Sequence, residues 1–476
     1  MSTDSTNRGK KFAKDFGIYS IGIFGTRIIT FLMVPLYTYF LDDTAEYGYY
    51  DMCLQICMFL LPLSTLQLRD ASFRFLIETD ADESRRRIVS FVYKALFSNI
   101  VVIAAVAILM SMLVQVNYLY HSLALLVAMT LHEVVGQVTR GLKHNEIYVA
   151  CNLLNAFLIG SLSFLFIVVF RMGVEGIFLA NILSRLTAVT VLELKVKILR
   201  RYFFRSIDVR AIGKEIMRYS LPLIPTNMCW LLTTISDRFF IGYFVSVEVN
   251  GIYAVTIRFT MILQTLALIF YQAWQETAIT QYHTPDRNKF FSKVFNYYLF
   301  AWVFLLVIFS FVLKMNYGWL VAPNYQPGIK YLYAMGIITI LMSISSSYFE
   351  LGYQCGKDTK RAIPALFFAA IVNVTVNFLI TPSLGVKGVI LSNFCTFVFL
   401  CVYRFIDTRR YFKISIYGRT FALPAILVAG YFLFALDEGV MVDVLSMLVL
   451  LVAVLAVMPR ELTGQIFQKV KQKLGK

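Results

Sequence analysis

Charge is scarce in this chain. Asp, Glu, Lys and Arg together supply 15% of it while apolar residues supply 59%, which excludes the composition of an ordinary soluble domain. Acidic residues are the scarcer sign, 28 against 44 Lys and Arg. Histidine occurs four times at scattered positions, so no metal-ligand spacing is visible. None of the seven cysteines forms a CxxC pair, and most fall in apolar stretches where a free thiol behaves as a small apolar residue. Neither a metal nor a cofactor is expected. The N-terminal apolar run lacks an A-x-A cleavage site and is too long for a signal-peptide core, so we expect it to be kept as a first helix.

What is abundant is long apolar runs. Fourteen lie near 17–41, 47–69, 88–113, 117–139, 147–170, 174–196, 217–243, 251–276, 293–313, 331–351, 363–381, 385–403, 418–436 and 441–458. A hydrocarbon core about 30 Å thick needs roughly 20 helical residues to cross it. The expected fold is therefore all-α: a polytopic membrane protein of about 14 transmembrane helices. Its net charge of +16 would suggest nucleic acid in a soluble protein. Here the basic residues crowd into alternate gaps. With both termini cytoplasmic, 35 Lys and Arg fall on the inner side, four (Arg171, Lys314, Lys330, Lys387) on the outer side and five within spans. That is the positive-inside pattern, and no nucleic acid is implied.

The longest inner connection, residues 195–218, lies near the midpoint. Around it the sequence weakly repeats: Tyr19-Ser20 opens the first span and Tyr219-Ser220 the seventh. Gly48-Tyr49-Tyr50 and Gly251-Ile252-Tyr253 follow at matching places. Six spans is an even number, so the copies are parallel repeats about an axis along the membrane normal. We expect an N-lobe at 1–205, a C-lobe at 206–410, and a final helix pair with a basic cytoplasmic tail at 411–476. Prolines 35, 62, 222, 225 and 424 bend the spans that contain them.

An arginine at the bilayer centre costs about 3 kcal/mol on insertion scales and about 10 or more in simulations. Arg27 lies roughly 15 Å into the first span, near the midplane. Arg185 is at similar depth in the sixth, and Arg258 is in the eighth. Arg238 follows Asp237, which would answer its charge, and Lys94 is near enough to the inner face to snorkel. These arginines are candidates for binding an anionic substrate; the plainer reading of each is a structural ion pair or backbone contact. His132-Glu133 in the fourth span is the one pair suited to carrying a coupling proton, although a plain arginine partner serves as well. Positive charge at depth suits a phosphate or pyrophosphate, which arginine holds with two hydrogen bonds.

One run of residues resembles a known family. Tyr219-Ser220-Leu221-Pro222-Leu223-Ile224-Pro225 is followed by Ser236-Asp237-Arg238-Phe239-Phe240-Ile241 and by Gly251-Ile252-Tyr253-Ala254. It is similar to the pattern of bacterial polysaccharide repeat-unit flippases, the O-antigen, capsule and exopolysaccharide exporters. These belong to the multidrug/oligosaccharidyl-lipid/polysaccharide superfamily. Val34-Pro35-Leu36-Tyr37 with Glu46-Tyr47-Gly48-Tyr49 fits the matching start of the first lobe. The resemblance implies two six-helix lobes around a central cavity, plus a C-terminal helix pair. It implies an undecaprenyl-pyrophosphate oligosaccharide as cargo, moved to the outer leaflet of a bacterial plasma (inner) membrane. Membrane lipids would be partners, with polysaccharide polymerase and glycosyltransferases as candidates. The cavity-arginine role carries onto Arg27, and less directly onto Arg258 and Arg185. A peptidoglycan-precursor flippase is the near alternative, and a drug/cation antiporter of the same superfamily would need acidic cavity residues. A membrane polymerase or other enzyme would carry a large extramembrane loop or an acidic metal motif. The longest outer gap, 314–330, has only Lys314 and Lys330 as charges, so the expectation is a transporter and not an enzyme.

Overall fold

The computed structural model describes residues 25–26, 29, 31–113, 117–203, 209–356, 358–436 and 438–459. All regular structure among them is helical. Two compact units divide the chain, Met1–Gly251 and Ile252–Lys476. The first holds α1 (Phe31–Phe40), α2 (Thr44–Ser64), α3 (Leu68–Ile77), α4 (Asp82–Leu113), α5 (Leu119–Gly141) and α6 (Asn145–Ser163). It continues through α7 (Gly173–Val196), α8 (Arg210–Ser220), α9 (Leu223–Phe244) and the first turn of α10 (Val247–Gln281). The second unit takes the rest of α10, then α11 (Arg287–Leu320), α12 (Ile329–Ser343), α13 (Glu350–Cys355) and α14 (Ala362–Leu384). It ends with α15 (Val386–Asp407), α16 (Leu423–Ala435) and α17 (Val440–Ala456).

Hydrocarbon offers the backbone no hydrogen-bond partners, so apolar runs of this length satisfy their own N–H and C=O groups as helices. Ten helical segments of the described residues are long and apolar enough to cross a membrane, eleven if the bent pair α2–α3 counts as one. The fourteen expected from the sequence require three more elements. Those are α1 and α17, which are short, and α9, whose Thr, Asn, Ser, Asp and Arg residues dilute its apolar run. The protein is a multi-pass membrane protein.

Two features of the first unit position its interior. The second expected span does not run straight: α2 and α3 meet at 48°. Leu66 and Gln67 at the break have left-handed φ of 49° and 51°, and Pro62 lies one turn earlier. Beneath the break Leu68, Ala71, Val89, Val92, Val134 and Val138 are fully buried and hold α3, α4 and α5 together. The second feature is a close crossing of α2 with the start of α10. A Cβ on Gly48 would lie 2.1 Å from the Val247 carbonyl oxygen, and one on Gly251 would lie 2.0 Å from that of Thr44. Asn250 Nδ2 donates to the Gly48 carbonyl across this contact at 3.2 Å. The two glycines of the repeated Gly-x-Tyr motif thus meet each other, at a separation only residues without a side chain permit.

In the second unit, α14 and α15 are joined by amide side chains. Asn373 Nδ2 donates to Asn393 Oδ1 at 3.0 Å, and Ser392 Oγ donates to the Asn373 carbonyl at 2.9 Å. Such bonds act as glue between helices in lipid. The last helix pair is tied to α11 by Lys314, whose Nζ bonds Asp443 Oδ1 at 2.7 Å and the Phe434 carbonyl at 2.9 Å. Arg404 on α15 is fully buried, where its Nη1 donates to Glu350 Oε2 at 2.9 Å and to the Ser345 carbonyl at 2.8 Å.

Candidate functional site

His132 and Glu133 follow Met129 by three and four residues, so one face of α5 presents all three. That face lines a cavity of about 500 Å³ inside the first unit. The α2–α3 break supplies Gln67 and Arg69 to the same space, α6 supplies Asn155 and α7 supplies Arg185. Asn227 and Trp230 close it from α9. Without the left-handed turn at Leu66 and Gln67, α2 would continue straight and Arg69 would be carried elsewhere.

The charges of the cavity are unequally answered. Arg69 Nη1 lies 3.3 Å from Glu133 Oε2 and its Nε lies 3.4 Å from Asp70 Oδ2, so Arg69 is held between two carboxylates. Arg185 donates from Nη1 to the Asn181 carbonyl at 2.9 Å and to Asn181 Oδ1 at 2.8 Å, both neutral acceptors. Among the described residues no carboxylate lies within ion-pairing distance of it. Arg69 is therefore answered by carboxylates, whereas Arg185 faces the cavity with neutral partners.

Neutral polar groups complete the wall. Gln67 is 1% exposed, and its Oε1 accepts no hydrogen bond among the described residues; Asn155 Oδ1 is in the same condition. Trp230 adds an aromatic surface with an N–H donor. The arrangement can take an anion at Arg185 and hydroxyl-bearing groups along Gln67, Asn155 and Asn227.

The candidates read from sequence are distributed as follows. Arg185, His132 and Glu133 share this cavity. Arg238 does not line it. It is 3% exposed, with Nε 3.1 Å from Asp51 Oδ2 and Nη1 3.8 Å from Asp237 Oδ2, joining α9 to α2. Arg258 is half-buried on the part of α10 that belongs to the second unit. Arg27 lies outside the described residues. Sequence reasoning missed Gln67, Arg69, Asn155, Asn227 and Trp230. Pro62 was the signal of a break, but a proline does not disclose which way the chain turns after it. Among the described residues no group of three or more His, Cys, Asp or Glu gathers as a metal site would require.

A family model described as polysaccharide biosynthesis protein matches residues 12–275, more than half of the chain. No curated protein matches the sequence. Among solved structures, the fold is similar to the lipid II flippase MurJ in an inward closed conformation, with a TM-score of 0.71 at 13% identity. That alignment covers 96% of this chain and 99% of MurJ. It is also similar to a multidrug resistance MATE family transporter in an inward-facing conformation (TM-score 0.61, 13% identity, 82% of this chain and 95% of that one). A further likeness is to a transporter of the same superfamily from Pyrococcus furiosus (TM-score 0.52, 13% identity, 82% and 96%). The helical membrane fold and the family match agree: the protein belongs to the polysaccharide biosynthesis family.

Proposed function

We propose that the protein moves an undecaprenyl-pyrophosphate-linked oligosaccharide repeat unit from the inner to the outer leaflet of a bacterial plasma membrane, with both termini cytoplasmic. The observation that carries this reading is Arg185, a guanidinium inside a polar cavity with only neutral partners of its own. A phosphate oxygen pair suits the donors it has left. The amides of Gln67, Asn155 and Asn227 and the ring of Trp230 suit sugar hydroxyls and sugar faces. Glu133 neutralises Arg69 and is not offered to a cationic drug, which weighs against the drug/cation antiporter. A lipid-linked peptidoglycan precursor would present the same pyrophosphate, and the fold likeness to a lipid II flippase keeps it as the second reading. Arg27 and Arg258 are proposed as further phosphate contacts.

The test is complementation of a strain lacking its own repeat-unit flippase. A charged hydrogen bond is worth about 1.5–3 kcal/mol, so Arg185→Ala should lower transport about 10- to 100-fold at matched expression. Arg185→Lys should recover part of it, because lysine keeps the charge without the planar fork. Full surface polysaccharide from Arg185→Ala would remove Arg185 from the site. Rescue of a peptidoglycan-precursor flippase mutant in preference to a repeat-unit mutant would select the second reading.

A further inference from the structure

The second unit contains an apolar groove of about 510 Å³, walled by α12, α15 and α16. Ile337, Ile338, Leu391, Phe394 and Phe432 are among its lining side chains. At one end it is rimmed by Lys330 and Lys387, both exposed. These are two of only four basic residues on the basic-poor side of the membrane, and they come from connections 57 positions apart in the chain. Neither has an ion-pair partner among the described residues; Lys330 rests on the Tyr331 ring, 5.0 Å from its centroid. The acidic Asp443 of α17 is engaged by Lys314 instead. Each lysine is the second residue of its helix, α12 or α15. At the start of α15 a cation opposes the helix dipole, so helix stability does not account for Lys387.

The depth of the groove limits what fills it. From Lys330 to Ile338 is eight residues, about 12 Å at 1.5 Å per residue, close to one leaflet's half of a hydrocarbon core about 30 Å thick. A cationic rim over an apolar slot one leaflet deep is complementary to a lipid with an anionic head and acyl chains of ordinary length. A polyprenyl chain of many isoprene units would overrun it. We propose that this groove is a binding site for an anionic glycerophospholipid of the leaflet on the basic-poor side. Its phosphate lies between Lys330 and Lys387, and an acyl chain lies along Ile338, Leu391 and Phe394.

The test uses the full-length protein in vesicles containing a phosphatidylglycerol carrying a diazirine midway along one chain, or the phosphatidylcholine analogue. The anionic probe should label peptides spanning 331–338 and 387–394. Lys330→Gln/Lys387→Gln should reduce that labelling at least tenfold, and Lys330→Arg/Lys387→Arg should restore it. Labelling by the choline probe should stay at the residual level in all three proteins. Equal labelling by the two probes, or unchanged labelling of the glutamine variant, would overturn the site and leave the lysines as plain interfacial anchors. Displacement of the probe by a polyprenyl phosphate at lower concentration than by unlabelled phosphatidylglycerol would overturn the choice of occupant. Matched melting temperatures among the three proteins show that the comparison concerns the groove and not folding.

Discussion

Replacing Asp51 by asparagine tests whether Arg238 holds helices or holds substrate. In the structure Arg238 Nε lies 3.1 Å from Asp51 Oδ2, and the two side chains are 4% and 1% exposed. Removing one partner of a buried ion pair costs about 3–5 kcal/mol, because the other charge is left uncompensated. Two features moderate the loss for Asp51→Asn. Asp237 remains 3.8 Å from Arg238 Nη1, and the asparagine amide oxygen can still accept the Gln55 Nε2 hydrogen bond that Asp51 Oδ1 receives at 3.3 Å. We therefore expect about 2–3 kcal/mol for Asp51→Asn. Arg238→Met, which takes the guanidinium away from two buried carboxylates, should cost about 4–5 kcal/mol. At roughly 2–4 °C per kcal/mol for a domain of about 250 residues, the melting temperature should fall by about 4–12 °C and about 8–20 °C respectively. Melting followed by size-exclusion fluorescence of the purified protein gives both shifts, and transport assayed well below melting gives activity per folded molecule. The expected outcome is lost stability with unchanged specific activity in Asp51→Asn. A melting temperature within about 1 °C of the parent, or a loss of specific activity with no loss of stability, would refute the structural role and return Arg238 to the substrate.

Gly251→Val should destabilise by at least about 1–3 kcal/mol, the usual cost of overpacking, because its Cβ would meet the Thr44 carbonyl oxygen at 2.0 Å. The measure is melting temperature, and parental stability would show that the α2–α10 crossing yields easily. Glu133→Gln should leave flipping in reconstituted vesicles intact, since it removes a partner of Arg69 and not a proton carrier. Flipping that loses its dependence on a proton gradient in this variant would instead make Glu133 the coupling group. For topology, single cysteines at Asp43 and Glu248 in a cysteine-free background should react with an impermeant thiol reagent in intact cells, and cysteines at Arg201 or Lys360 should not. The reverse pattern would invert the protein in the membrane.

Much of the fold was legible because a bilayer leaves the backbone few choices. A run of about 20 apolar residues in hydrocarbon becomes a helix, and the 35-to-4 division of basic residues gives the orientation to be expected. Position along a helix also gives depth, at about 1.5 Å per residue. That is why Arg185, His132 and Glu133 could be recognised as expensive charges before any partner was known. The Gly-x-Tyr repeat was visible too, but nothing in it disclosed that Gly48 and Gly251 face each other.

What the sequence alone could not supply was azimuth, the direction in which a residue at known depth points around its helix axis. Azimuth follows from how helices rotate and tilt as their side chains pack, which depends on partners far away in the chain. Asp51 and Arg238 are 187 residues apart, and Arg69 and Glu133 are 64 apart. Two adjacent left-handed residues at the α2–α3 break turn Gln67 and Arg69 towards a cavity that hydropathy treats as the end of a span. Composition and period thus determined a multi-pass helical membrane protein and which of its helices carry charge. Only tertiary packing decided which charges were paired and which, like Arg185, faced the cavity with neutral partners alone.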